Sequence, residues 1–171
     1  MKAFIRQKAA LTRNALETDP GFFGLRELPE AFLVRTRVGP LSSDRSYAVA
    51  AAEHIRFCDA HGVLSPYAIG SVIPRSAIER GEFSGYSHYY TQVDTPPEGI
   101  PVFTREAGRY LVACHTGGYD TVRETYQKLL GYAREKGLPL SGCFFEDILL
   151  DELSVKGEEN YVLHISIRAD G

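Results

Sequence analysis

Two stretches of the chain say nearly the same thing. Residues 32–39 read FLVRTRVG, and residues 110–117 read YLVACHTG. A helix-length segment follows each. Then come a glycine and a short apolar run: Gly62-Val-Leu-Ser in the first half, Gly137-Leu-Pro-Leu-Ser in the second. A duplication at this scale predicts two similar halves meeting across a pseudo-twofold axis, and a pocket commonly forms where such halves meet.

Periodicity fills in the halves. Residues 31–38 read as a strand closed by Gly39-Pro40, after which Ser42, Ser43 and Asp44 offer helix N-caps. Tyr47, Ala48, Ala51, Ile55 and Cys58 fall at helical spacing, and His61-Gly62 stops the helix. Residues 67–73 and 86–93 read as two further strands, joined by a polar loop that contains Arg75 and Gly81. Pro96-Pro97-Glu98-Gly99 separates the halves, and residues 102–104 form a short extended piece. Residues 108–114 are the next strand. Tyr119, Val122, Tyr126, Leu129, Leu130 and Ala133 mark a second amphipathic helix ending at Lys136-Gly137. Residues 143–150 and 161–168 are the last two strands. The expected fold is α+β: tandem β-α-β-β modules (residues 28–95 and 101–169), an antiparallel sheet with helices on one face, and a ligand pocket between the halves.

Bulk properties narrow the function classes. The 171 residues suit one domain, and a net charge of −3 argues against a large nucleic-acid footprint. Three widely spaced cysteines without a CxxC pair suit reduced thiols in a cytoplasmic protein. No apolar run reaches membrane-spanning length, and residues 1–17 are too charged for a signal-peptide core. There is no GxSxG elbow, Walker loop or HExxH, and the five histidines are scattered. Neither a metal nor a cofactor is called for.

Glu146 is the residue to explain. It lies in Cys-Phe-Phe-Glu-Asp-Ile-Leu-Leu, a strand otherwise almost wholly apolar. Period-two alternation puts it on one face with Phe144, Ile148 and Leu150, and Asp147 on the other with Phe145 and Leu149. One acid must therefore meet an apolar environment, unless the strand has a wet edge or an arginine pairs with it. A lone buried carboxylate is costly and is kept for a partner or a purpose. In an aromatic-walled cavity its purpose would be to attract a lipophilic cation by charge, with ring faces adding cation–π attraction. The aromatic candidates are Tyr47, Tyr67, Tyr86, Tyr119 and Tyr161.

Several segments together resemble a known family. They are Tyr86-Ser-His-Tyr-Tyr-Thr-Gln-Val, Gly108-Arg-Tyr-Leu-Val-Ala-Cys, Tyr126-Gln-Lys-Leu-Leu-Gly-Tyr-Ala, Phe145-Glu-Asp-Ile-Leu-Leu and Glu159-Asn-Tyr-Val-Leu-His-Ile-Ser-Ile-Arg. In order and spacing they are similar to the C-terminal effector-binding, gyrase-inhibitor-like domain of multidrug-binding transcriptional regulators of the MerR class. The resemblance implies that Glu146 anchors cationic drugs and that Tyr47, Tyr67, Tyr86, Tyr119 and Tyr161 wall the pocket. Asp147 departs from the family pattern, in which an apolar residue is usual there. The resemblance also implies that residues 1–20 are the remnant of a linker and dimerisation helix and that residues 21–171 are the effector domain. DNA would be bound only through an N-terminal helix-turn-helix outside this sequence. Stand-alone relatives imply an alternative, hydrolysis of strained cyclopropane compounds by Glu146 and a tyrosine. A partner-binding module acting through the acidic segment 151–159 is a third class.

Overall fold

Two short connections decide the shape of this molecule. In the computed structural model, which describes residues 2–150 and 155–170, β1 (Phe23–Leu28) is followed after two residues by β2 (Ala31–Arg37). β5 (Val102–Arg105) is likewise followed after two residues by β6 (Gly108–Thr116). The remaining strands are β3 (Gly70–Pro74), β4 (His88–Val93), β7 (Leu140–Leu150) and β8 (Val162–Ala169). All eight form one antiparallel sheet in the order β1-β6-β8-β7-β3-β4-β2-β5. In a flat sheet β1 and β2 would stand about 29 Å apart, at about 4.8 Å per strand. Two linking residues span at most about 11 Å. The sheet must therefore curl until its edges approach. Contacts across the curl agree: Phe103 of β5 lies 6.3 Å, centroid to centroid, from Phe145 of β7, four strands away.

Exchanging β1–β4 for β5–β8 turns the order into its own reverse, so connectivity is the same from either edge. The two halves abut at β3 and β7, with Ser71 paired to Glu146.

The last three α-helices lie on the outer face. The first, α1 (Lys2–Glu17), precedes the sheet. Its expected apolar stripe rests partly on Phe4, Ala15 and Leu16, whose side chains are outside the described residues. α2 (Asp44–Ala60) starts at Ser43, which forms a capping box with Ser46, and covers Val34 and Val93 through Cys58. α3 (Arg75–Glu79) is a single turn. α4 (Val122–Lys136) ends at left-handed Gly137 and buries Val122, Tyr126, Leu129 and Ala133 against Leu111, Leu163, Ile165 and Ile167. The inner face of the curl is packed by Ala31, Leu33, Val72, Tyr90 and Phe145.

Four elements differ from the sequence expectation. β1 has no apolar alternation because it is an edge strand with three consecutive exposed residues, and its pairing to β6 defines it. α3 replaces an expected polar loop; it is too short for periodicity and carries an Arg75–Glu79 ion pair one turn apart. β3 begins at Gly70 rather than Tyr67, because Ser65 ties the preceding loop to the Gln92 carbonyl. β7 begins at Leu140 rather than Cys143, and runs through an irregularity in which Gly142 has φ 78°. The acidic segment 151–159 falls partly outside the described residues.

Candidate functional site

β7 carries two adjacent acids back to back, and the structure treats them differently. Asp147 faces the inside of the curl. There Arg105 donates to it at 3.1 Å, Tyr90 donates a second hydrogen bond, and His164 Nδ1 stands 3.6 Å away. Tyr90 reaches it by lying flat over Gly70, where a Cβ would sit 2.2 Å from the ring. Burial alone would raise the Asp147 carboxyl. His164, Arg105 and Tyr90 together hold it well below the usual carboxylate range. Asp147 is thus the acid that pairs with an arginine.

Glu146 faces outward, beneath the helices, and is 2% exposed. It pairs with no arginine or lysine among the described residues; its polar neighbours are tyrosines. The Tyr126 hydroxyl, on the buried face of α4, donates to Glu146 Oε1 at 2.5 Å. The Tyr86 hydroxyl is close enough to favour the charged form as well. Burial pushes the Glu146 carboxyl up to about 7, against the opposing pull of those two hydroxyls. The same burial, with the Glu146 charge, raises the Tyr86 and Tyr126 hydroxyls far above their ordinary range. Across β3, the residue paired with Glu146 is the small Ser71, so no large side chain stands beside the carboxyl on that strand.

Further rings extend this centre outward. Tyr86 meets Tyr47 of α2 edge-on at 5.9 Å and Tyr89 of β4 at 6.0 Å. Tyr119, at the start of the 3₁₀ turn before α4, lies near enough to bear on Tyr86 and is 45% exposed. Glu146 and Tyr86 are thus flanked by Tyr47 from α2 and Tyr126 from α4, with Tyr119 nearby. Tyr161 precedes β8, where its carbonyl accepts from the Gly117 amide beside the Tyr119 turn. Tyr67 stands apart, donating to Asp94 Oδ1 at 3.1 Å beyond the end of β4. Sequence reasoning missed Tyr126 and Tyr89. Tyr126 sits in the apolar stripe of α4, and its role comes from the strand beneath it.

The arrangement sets one buried carboxyl, poised to ionise near neutral pH, beneath a group of tyrosine rings. Among the described residues no group of three or more His, Cys, Asp or Glu could hold a metal ion, and no helix is long and apolar enough to cross a membrane.

Comparison with known proteins follows the same lines. Residues 37–170 match the family described as the GyrI-like small molecule binding domain. The chain is 28% identical over 160 residues to the multidrug-efflux transporter 2 regulator of Bacillus subtilis, covering 94% of this chain but 58% of that protein. Among solved structures, the EcmrR–DNA complex superposes with a TM-score of 0.67 at 16% identity, over 97% of this chain and 66% of that one. The structure of SAV2435 bound to tetraphenylphosphonium gives 0.51 at 18% identity, over 88% and 94%. A Listeria innocua protein described as a hydrolase gives 0.52 at 12% identity, over 86% and 91%. At these identities the structural likenesses establish the fold.

Proposed function

The chain belongs to the GyrI-like small-molecule-binding domain family, and we propose that it binds bulky, apolar cations between α2 and α4 with Glu146 as anchor. Tyr47, Tyr86, Tyr119 and Tyr161 wall the ligand, and Tyr126 fixes the carboxylate. The observation that carries this reading is a fully buried glutamate that takes a hydrogen bond from the Tyr126 hydroxyl and has no basic partner among the described residues. A structural acid would be paired, as Asp147 is one residue away. At about 5 Å, with an effective dielectric near 20, a carboxylate and a cation attract by about 3 kcal/mol. That is comparable to the cost of ionising a carboxyl held near 7, so a cation can offset what burial imposes.

Occupancy would act as an effector signal in a regulator of the multidrug-efflux type, passed to a DNA-binding unit. A ligand can pass on only what it gains differentially between two conformations. Tyr86 and Glu146 belong to different halves, so a ligand held by both would bear on how the halves meet.

Isothermal titration with tetraphenylphosphonium and with neutral triphenylphosphine oxide tests the reading. Glu146→Gln should weaken the cation at least tenfold and leave the neutral compound within about twofold. Equal losses would remove Glu146 as a charge anchor. Hydrolysis is a second reading, favoured by the same carboxyl because a group titrating near 7 can act as general acid or base. Chromatographic recovery of a strained cyclopropane substrate, intact or opened, separates the two.

A further inference from the structure

The inner face of the curl carries arginines, and two of them have no counter-ion among the described residues. Alternation puts Leu33, Arg35 and Arg37 of β2 on the inner face, with His88 and Tyr90 of β4 beside them; the register pairs Arg37 with His88 and Arg35 with Tyr90. The Arg35 guanidinium lies 3.8 Å from the centroid of Phe103, which itself faces Phe145. Arg35 is half-buried, Arg37 is exposed, and neither forms an ion pair among the described residues. Deeper in the same curl Arg105 is also buried, but Asp147 neutralises it. A desolvated guanidinium without an anion is unfavourable, and proteins keep such strain chiefly at functional sites.

We propose that the mouth of the curl, where Arg35, Arg37 and His88 stand beside Phe103 and Cys143, is a second ligand site that takes a compact oxyanion, a carboxylate or a phosphate monoester. Phe103 holds one face of the Arg35 guanidinium and leaves its in-plane N–H edge for the two oxygens that a carboxylate or phosphate presents. The local field is positive: His88 is pushed down by burial and then by Arg35 and Arg37, and Arg35 opposes the upward push of burial on the Cys143 thiol. The acids on this face among the described residues are committed elsewhere: Asp147 to Arg105, His164 and Tyr90, and Glu106 and Asp170 to Arg168. The site lies on the opposite side of the sheet from Glu146, so the two sites differ in both sign and position.

The test is an NMR titration of the ¹⁵N-labelled chain with sodium phosphate and, separately, sodium benzoate, each against sodium chloride at matched ionic strength. Saturable shifts on β2 and β4 amides with at least one of the two anions are expected. Saturation by phosphate alone would identify a phosphate ester as the ligand, and by benzoate alone a carboxylate. Arg35→Gln should weaken that anion at least tenfold, and Arg37→Gln at least threefold. Arg45→Gln, which removes an exposed arginine on α2, should change it by less than twofold. Shifts that only track ionic strength would overturn the proposal, as would an affinity indifferent to Arg35→Gln. Should Arg35→Gln not fold, an Arg37→Gln affinity equal to that of wild type would overturn it as well.

Discussion

Replacing Glu146 by glutamine should make this protein more stable, increasingly so as pH rises above about 4.5 and fully so above about 7. The carboxyl titrates at about 7 in the folded protein against 4.5 for an ordinary one. By proton linkage that gap corresponds to about 3 kcal/mol. This is an acid whose folded value is raised. Between about pH 4.5 and pH 7 the folded state keeps a proton that the unfolded state has released, so stability falls as pH rises. The penalty is absent below the window and complete above it. Glutamine never ionises, keeps the shape, and retains an oxygen to accept from Tyr126. Urea unfolding at a series of pH values should show variant and wild type alike near pH 4.5. The variant should lead by about 3 kcal/mol at pH 8, which for a domain of this size is roughly 6–12 °C in Tm. Using the difference between the two proteins cancels the other titrating groups. A difference that is flat with pH, or a variant weaker at pH 8, would mean that the folded state already compensates the carboxylate, and the argument for a ligand charge would fail.

Other perturbations follow from the same geometry. Tyr126→Phe removes a donor to Glu146, so the carboxyl should titrate still higher and tetraphenylphosphonium should bind several-fold more weakly at pH 7 by calorimetry, a loss of about 1 kcal/mol. Arg105→Met strands the Asp147 charge and should cost about 3–5 kcal/mol in urea unfolding, with most of the loss recovered in the Arg105→Met, Asp147→Leu double variant. Gly70→Ala puts a methyl into the Tyr90 ring and should destabilise by about 1–3 kcal/mol in the same assay, although the backbone there needs no glycine conformation. Cation affinity should fall about tenfold between pH 8 and pH 6 as Glu146 takes up its proton, with Glu146→Gln showing no such dependence.

What the sequence discloses of all this depends on distance along the chain. Both helices that cover the sheet's outer face, and the alternation that sends Glu146 and Asp147 to opposite faces, are local patterns and can be read directly. The fate of each acid is not local. Asp147 finds Arg105 across four strands only because two-residue links force the sheet to curl. Tyr126 reads as one more apolar residue of α4, since its hydroxyl matters only where α4 crosses β7. Tyr47, Tyr86 and Tyr119 can be named as aromatic candidates, but their convergence depends on how the halves meet. β1 leaves no trace because an exposed edge strand needs no apolar pattern.

The central claim is that a buried carboxyl, near neutrality when no ligand is bound, becomes a full negative charge under a bound cation. Titrating tetraphenylphosphonium at pH 7 in buffers of different ionisation heat measures the protons released on binding. About half a proton should be released per cation at pH 7, falling toward zero near pH 9 and in Glu146→Gln. Tight binding with no proton release at pH 7, or release that persists in Glu146→Gln, would contradict it.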